Sequence, residues 1–186
     1  MFALAAAGPL VHNEFVKATL QAINRMQADG IIGRYAIGGA VGATFYLEPA
    51  ATVDLDVFVT LPTAGGLLTL APIYAYLKAR GGVEQDEYIV LDSWPVQFLP
   101  PANKLEEEAI EASVGVMVEG VGTWIMTAEH LSAIALQTGR AKDHNRILQF
   151  VEQNAVDRQK LQSIVERHGL TGKWKQFEQK YLAGHS

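Results

Sequence analysis

Cysteine is absent from the 186 residues, which rules out disulfides and thiolate metal sites. No run of eighteen apolar residues occurs, so no membrane-spanning helix is expected. Met1 to Leu10 is apolar but carries no basic residue, unlike a secretory signal. The cytoplasm is then the default compartment. No Gly-x-Ser-x-Gly is present, so serine-hydrolase chemistry has no visible nucleophile. Gly38, Gly39 and Gly42 do not fit Gly-x-Gly-x-x-Gly, which disfavours a dinucleotide site. The five histidines form no ligand spacing. His12, His168 and His185 lie near termini or turns, and His144 reads as a surface or capping residue.

What is there is an ordinary globular balance, 49% hydrophobic and 19% charged, long enough for one substantial core with a small helical appendage. The net charge of −5 is unevenly spread. Residues 1–139 carry 6 Lys/Arg against 15 Asp/Glu, and residues 140–186 carry 9 against 5. A basic helical part facing an acidic part suits a polyanionic substrate held between them. Amphipathic helices with charged outer faces give the same count, and nothing is basic enough to demand nucleic acid.

The chemistry concentrates in Ile37-Gly38-Gly39 and Asp54-Leu55-Asp56-Val57. If residues 53–59 form a strand, Asp54 and Asp56 share one face, about 7 Å apart, and Leu55, Val57 and Val59 take the other. Two such carboxylates can hold one or two Mg²⁺ ions, which favour oxygen ligands and keep waters and substrate phosphates. An Asp-x-Asp also occurs on the solvent face of an antiparallel sheet. Tyr35 to Ile37 reads as a strand and Ala40 to Leu47 as a helix, with Gly38-Gly39 as the turn between. Helix N-termini attract phosphate, and glycine lets it approach.

Periodicity supplies the remaining elements. Helices are expected over Asn13 to Gln27, Leu67 to Arg80 and Leu105 to Ala112, and everything from Thr127 onward is helical. Strands are expected at Tyr88 to Leu91, Pro95 to Leu99, Val114 to Val118 and Thr123 to Met126. Leu61-Pro62 and Gly65-Gly66 mark a loop, and Asp92-Ser93-Trp94 a hairpin turn. Glu106-Glu107-Glu108 is expected to be a solvated face. Asp157 and Thr171 are candidate N-caps, and Trp174, Phe177 and Tyr181 fit a core-facing stripe. The fold class is α+β: a mixed sheet with flanking helices over residues 1–126, and a C-terminal helical region, residues 127–186, packed on it.

These residues resemble the nucleotidyltransferase fold of the DNA polymerase β type. Its signature is a hydrophobic residue, Gly-Gly or Gly-Ser, a spacer, then Asp-hydrophobic-Asp/Glu-hydrophobic. The spacer here, Ala40 to Val53, is slightly long. Gly139-Arg140-Ala141-Lys142-Asp143, opening a helix, is similar to the matching segment of bacterial AbiEii-like nucleotidyltransferases, a toxin branch. The resemblance spans roughly residues 30–155. It implies a nucleoside triphosphate substrate, Mg²⁺ on Asp54 and Asp56, phosphate contacts from Gly38, Gly39, Thr52, Arg140 and Lys142, and a cognate antitoxin. The acceptor is left open among RNA, a protein and a small molecule.

The sequence also departs from that pattern. The fold usually places a third carboxylate on a neighbouring strand, where it helps hold metal and acts as a base. The corresponding position is Gln97, which cannot take a proton near neutral pH; Asp92 and Glu48 are weaker substitutes. Gln137 stands where a Lys is usual, and Pro49-Ala50-Ala51 offers no Arg ahead of Thr52. Asp143 is expected to anchor Arg140 or Lys142 rather than bind metal. Three readings follow: an active enzyme, a catalytically impaired nucleotide-binding or regulatory module, and a structural or protein-binding domain with merely solvated carboxylates.

Overall fold

The computed structural model describes residues 13–48, 54–62, 69–91 and 94–183. Thr52, Asp92, Gly65-Gly66 and the apolar start of the chain lie outside the described residues. Helix α1 (Asn13–Ala28) leads into strand β1 (Tyr35–Ile37), the short helix α2 (Gly39–Ala43) and strand β2 (Leu55–Val59). Helix α3 (Ala71–Lys78), β3 (Val83–Gln85), β4 (Tyr88–Leu91) and β5 (Trp94–Leu99) follow. Then come α4 (Lys104–Glu111), the hairpin β6 (Val114–Val118) and β7 (Val121–Ile125), and helices α5 (Ala128–Thr138), α6 (Ala141–Glu152), α7 (Arg158–Arg167) and α8 (Thr171–Phe177).

The strands form one mixed sheet in the order β3-β4-β5-β2-β1-β7-β6. β2 runs parallel to β5 and antiparallel to β1. Its period-two alternation explains its central place. Leu55, Val57 and Val59 are buried in the core with Leu20, Ile23, Ile73 and Leu77 of α1 and α3. Phe58, on the opposite face, joins the core built from α4 to α8. Asp56, two residues from Phe58, therefore faces the C-terminal helices. The sheet is thus covered on both faces, and the carboxylates lie on the face next to the basic part of the chain.

Several local expectations are corrected. β3 has all three residues exposed and no apolar alternation, so only its antiparallel pairing with β4 makes it a strand. α2 ends at Ala43 and continues as turns rather than as helix to Leu47. Thr171 is the first residue of α8; the N-cap is Leu170, without a side-chain hydrogen bond. Asp157 does cap α7, accepting from the N–H groups of Gln159 and Lys160. Trp174 and Phe177 are buried, and their rings stack 5.5 Å apart.

Glu108 is half-buried and paired rather than part of a merely solvated face. Its carboxylate takes Arg167 Nη2 at 2.5 Å and His168 Nε2 at 2.6 Å, from the last residue of α7 and the residue after it, and meets buried His130 Nε2 of α5 at 3.3 Å. The Arg167 bond first, then the two histidines, hold its pKa down at about 2, against the opposing effect of burial. This junction ties α4, α5 and α7 together. The folded pKa lies below the ordinary value of 4.5, so the stabilisation is complete above that value and is lost as pH falls towards about 2. Glu108→Gln should reduce stability at neutral pH by roughly 1.5–3 kcal/mol, the range for hydrogen bonds to charged groups, and flatten the acid limb of a pH–melting curve. An unchanged acid limb in the variant would contradict the junction's role.

Candidate active site

Asp54 immediately precedes β2, and Asp56 lies within it. β1 ends at Ile37, and the chain turns through Gly38 and Gly39 directly over Asp56. Gly38 donates its N–H to the Asp56 carbonyl at 2.9 Å. A Cβ on Gly38 would come within 2.7 Å of the Phe58 ring. A Cβ on Gly39 would overlap Asp56 Oδ2, and Gly39 also adopts φ +57°, a region that disfavours side chains. Both glycines are therefore demanded by packing against β2. The Gly38 N–H, expected to contact phosphate, is thus already engaged by the Asp56 carbonyl.

On the other side of β2, the parallel register sets Asp56 beside Gln97 of β5. The residue in the third-carboxylate position is thus an amide adjoining Asp56. Ile89 of β4 pairs with Val96, so Tyr88 lies abreast of Gln97 on the face of the carboxylates. Its hydroxyl donates to Asp54 Oδ2 at 3.4 Å. Burial first, then the Asp54 charge, raises the Tyr88 pKa. Sequence reasoning missed Tyr88; the signal was the alternation of Tyr88 and Val90 against the core residues Ile89 and Leu91.

Burial is also the main cause that raises the Asp56 pKa, followed by the Asp54 charge. Arg146, Lys142 and Arg140 oppose it, in that order. Lys142 and Arg146 lie on α6 and Arg140 is its N-cap, so charges at the start of α6 act on Asp56. Arg146 was missed, although it lies one helical turn beyond Lys142. Arg140 is committed elsewhere: its Nε and Nη2 grip the carboxylate of Asp143 at 2.7 and 3.2 Å. Asp143 is buried and also accepts the Arg140 backbone N–H, at 3.2 Å. Burial would raise its pKa, but the Arg140 bonds outweigh that and lower it. The Asp143 expectation is thus seen in the geometry, and the Lys142 and Arg146 charges also act on Asp56.

Other singled-out residues lie apart. Gln137 accepts from Asn103 Nδ2 at 3.1 Å, and its carbonyl takes Lys173 Nζ at 2.5 Å. It holds α4 and α8 to the end of α5. His144 packs its ring 5.9 Å from Phe177 and 5.5 Å from Tyr181, away from the carboxylates. Glu48 is exposed. Among the described residues, no three His, Asp or Glu side chains gather around a metal-sized space.

A divalent cation fits the donor set that is present. Asp54 and Asp56 are hard anionic ligands on one face, Gln97 pairs with Asp56 across the strands, and the raised Asp56 pKa, due first to burial and then to the Asp54 charge, reflects a half-buried carboxylate that a cation would stabilise.

The architecture is similar to that of solved nucleotidyltransferase-like structures. The chain is similar to an antigenic nucleotidyltransferase-like protein from Paracoccidioides brasiliensis, with TM-score 0.55 and 13% identity over 89% of this chain and 94% of that one. It is also similar to the antibiotic-resistance factor ANT(2'')-Ia, with TM-score 0.52 and 12% identity over 91% of this chain and 98% of that one. At these identities the likeness is one of fold. No protein-family model matches the chain, and no curated protein matches it.

Proposed function

We propose that the protein is a Mg²⁺-dependent nucleotidyltransferase that binds a nucleoside triphosphate and passes its nucleotidyl group to an acceptor. The observation that carries this reading is the meeting of three elements around Asp56: the Gly38-Gly39 turn, the Asp54/Asp56 pair and the cations of α6. When bound, Mg²⁺ neutralises charge on the transferring phosphoryl group. Asp54 and Asp56 would hold it. The first turn of α2 would receive phosphate, and Lys142 and Arg146 would neutralise the pyrophosphate leaving group. Thr52, which precedes the carboxylates in sequence, belongs to the same phosphate-binding proposal. So does the division into a sheet domain, residues 1–126, and a helical region, residues 127–186, with the triphosphate held between them.

The Gly139–Asp143 segment at the start of α6 supports placement in the AbiEii-like branch. A toxin-like role with an antitoxin partner, in the cytoplasm, goes with that placement. Among the described residues no helix is long and apolar enough to cross a membrane.

A second reading rests on Gln97. An amide beside Asp56 cannot remove a proton from an acceptor hydroxyl, whereas nucleotide and metal affinity survive without a base. On that reading the chain is a nucleotide-binding or regulatory module. Gln97→Asp separates the two: transferase activity gained only in the variant supports the module, and activity in the native chain excludes it.

The cation assignment is tested by calorimetric titration of Mg²⁺ with ATP, GTP, CTP and UTP. Arg146→Ala should weaken triphosphate binding by about tenfold, equivalent to ~1.4 kcal/mol. Arg140→Ala should act chiefly on stability, because its guanidinium is held by Asp143. The reverse ranking would assign the phosphate contact to Arg140.

A further inference from the structure

We propose that Tyr88 is itself a nucleotide acceptor, so that the chain transfers a nucleotidyl group onto its own Tyr88 hydroxyl. This inference rests on the nucleotidyltransferase reading and supplies the acceptor which that reading leaves unnamed.

The order of strands carries the argument. Across the sheet, β1 with its Gly38-Gly39 turn flanks β2 on one side, and β5 and then β4 flank it on the other. Phosphates received at the glycine turn approach the carboxylates from the β1 side. A hydroxyl placed for in-line attack must enter from the β5 side. Gln97 occupies the nearer strand there and offers no oxygen nucleophile. Tyr88 occupies the next one. Neighbouring strands lie about 4.8 Å apart, so the Tyr88 backbone is two strand spacings from β2. Its long side chain crosses that distance and delivers the hydroxyl to Asp54 Oδ2 at 3.4 Å. A hydroxyl therefore already stands on the acceptor side of the carboxylate pair, and it belongs to the chain.

The missing third carboxylate also fits. Gln97 cannot take the acceptor's proton, but the Tyr88 hydroxyl is already hydrogen-bonded to a carboxylate oxygen. In the step, Tyr88 Oη forms a bond to the α-phosphorus of the triphosphate. The bond from that phosphorus to the oxygen bridging to the β-phosphate breaks. Pyrophosphate leaves with the electron pair, and the phenolic proton passes to Asp54 Oδ2. The product is a phosphodiester between Tyr88 and the nucleoside, with no oxidant or further reactant required.

The test is peptide mass analysis of the whole chain after incubation with Mg²⁺ and each of the four nucleoside triphosphates in turn. Cleavage after Arg80 and Lys104 releases residues 81–104, in which Tyr88 is the only tyrosine. One nucleotidyl group on Tyr88 is expected with at least one triphosphate. The label should be absent from Tyr88→Phe, whose thermal melt shows that it folds, and from Asp54→Ala/Asp56→Ala. The labelling rate per molecule should not change with protein concentration. Mg²⁺-dependent triphosphate binding, measured by calorimetry, is the second readout. Binding without label on Tyr88, or label persisting in Tyr88→Phe, overturns the proposal and leaves the nucleotide reading standing. Absence of both binding and label overturns the two together.

Discussion

Asp56→Asn should raise the thermal stability of the metal-free protein and at the same time abolish its metal-dependent triphosphate binding. Burial, and then the Asp54 charge, hold the Asp56 carboxyl above its ordinary value of 3.8. The folded chain therefore binds this proton more tightly than the unfolded chain does. Stability is lost as pH rises from the ordinary value through the raised folded one, and the deficit persists at neutral pH. The neutral, isosteric amide removes that deficit. It also removes one of two anionic metal ligands, for which a loss of about 100-fold or more is expected, equivalent to ~2.8 kcal/mol. Melting curves from acid to neutral pH and a calorimetric titration give the two readouts. A variant that melts lower and binds unchanged would make Asp56 a structural residue. The opposed signs are the mark of a group kept for function against the interest of the fold.

Gly39→Ala should be the most damaging of the small substitutions. Two effects add. A non-glycine residue at φ +57° carries roughly 1–2 kcal/mol of backbone strain. The new methyl group also overlaps Asp56 Oδ2, and overpacking adds roughly 1–3 kcal/mol. The expected loss is thus about 2–5 kcal/mol, together with displacement of the carboxylate and of any metal it holds. Gly30→Ala serves as the control, because Gly30 has φ +72° but nothing within 4 Å of a Cβ. It should show the strain alone. Equal losses at the two positions, measured by denaturant unfolding, would mean that the contact with Asp56 is not what demands a glycine at 39.

Much of the fold was legible because its central elements obey simple periods. The β2 segment alternates Leu55, Val57 and Val59 with Asp54, Asp56 and Phe58, and the sheet turns one set to each face, with only Phe58 of the second set buried. α5 to α8 follow from helical spacing after Thr127, whose hydroxyl caps α5 by accepting from the His130 N–H. β3 was invisible because an exposed edge strand needs no apolar pattern. Thr171 was misread because its capping preference does not fix which residue begins a helix. Glu108 was misread because its partners Arg167 and His168 lie 59 and 60 residues away in sequence, and a local charge run carries no trace of them.

The candidate site was partly legible for the same reason. The glycine turn, the two carboxylates and the Arg140–Asp143 pair are local motifs, and the structure brings them together. Tyr88 enters through strand register, and Arg146 through the charge it directs at Asp56 from α6, which packs on α5. The Asp56–Gln97 pairing shows how such information can be recovered: once β2 and β5 are parallel neighbours, every residue abreast of a carboxylate is fixed, Tyr88 included. Arg140 illustrates the converse. Its sequence position is right for a phosphate contact, but Asp143 already holds its guanidinium.

The central claim is that Asp54 and Asp56 form a metal-dependent nucleotide site under the Gly38-Gly39 turn. The most direct measurement is a calorimetric titration of nucleoside triphosphate into the native chain and into Asp54→Ala/Asp56→Ala, each with and without Mg²⁺. The account predicts binding by the native chain only when Mg²⁺ is present, and none by the double variant under either condition. Binding of equal strength by both proteins, or none by the native chain with any of the four triphosphates, would contradict it.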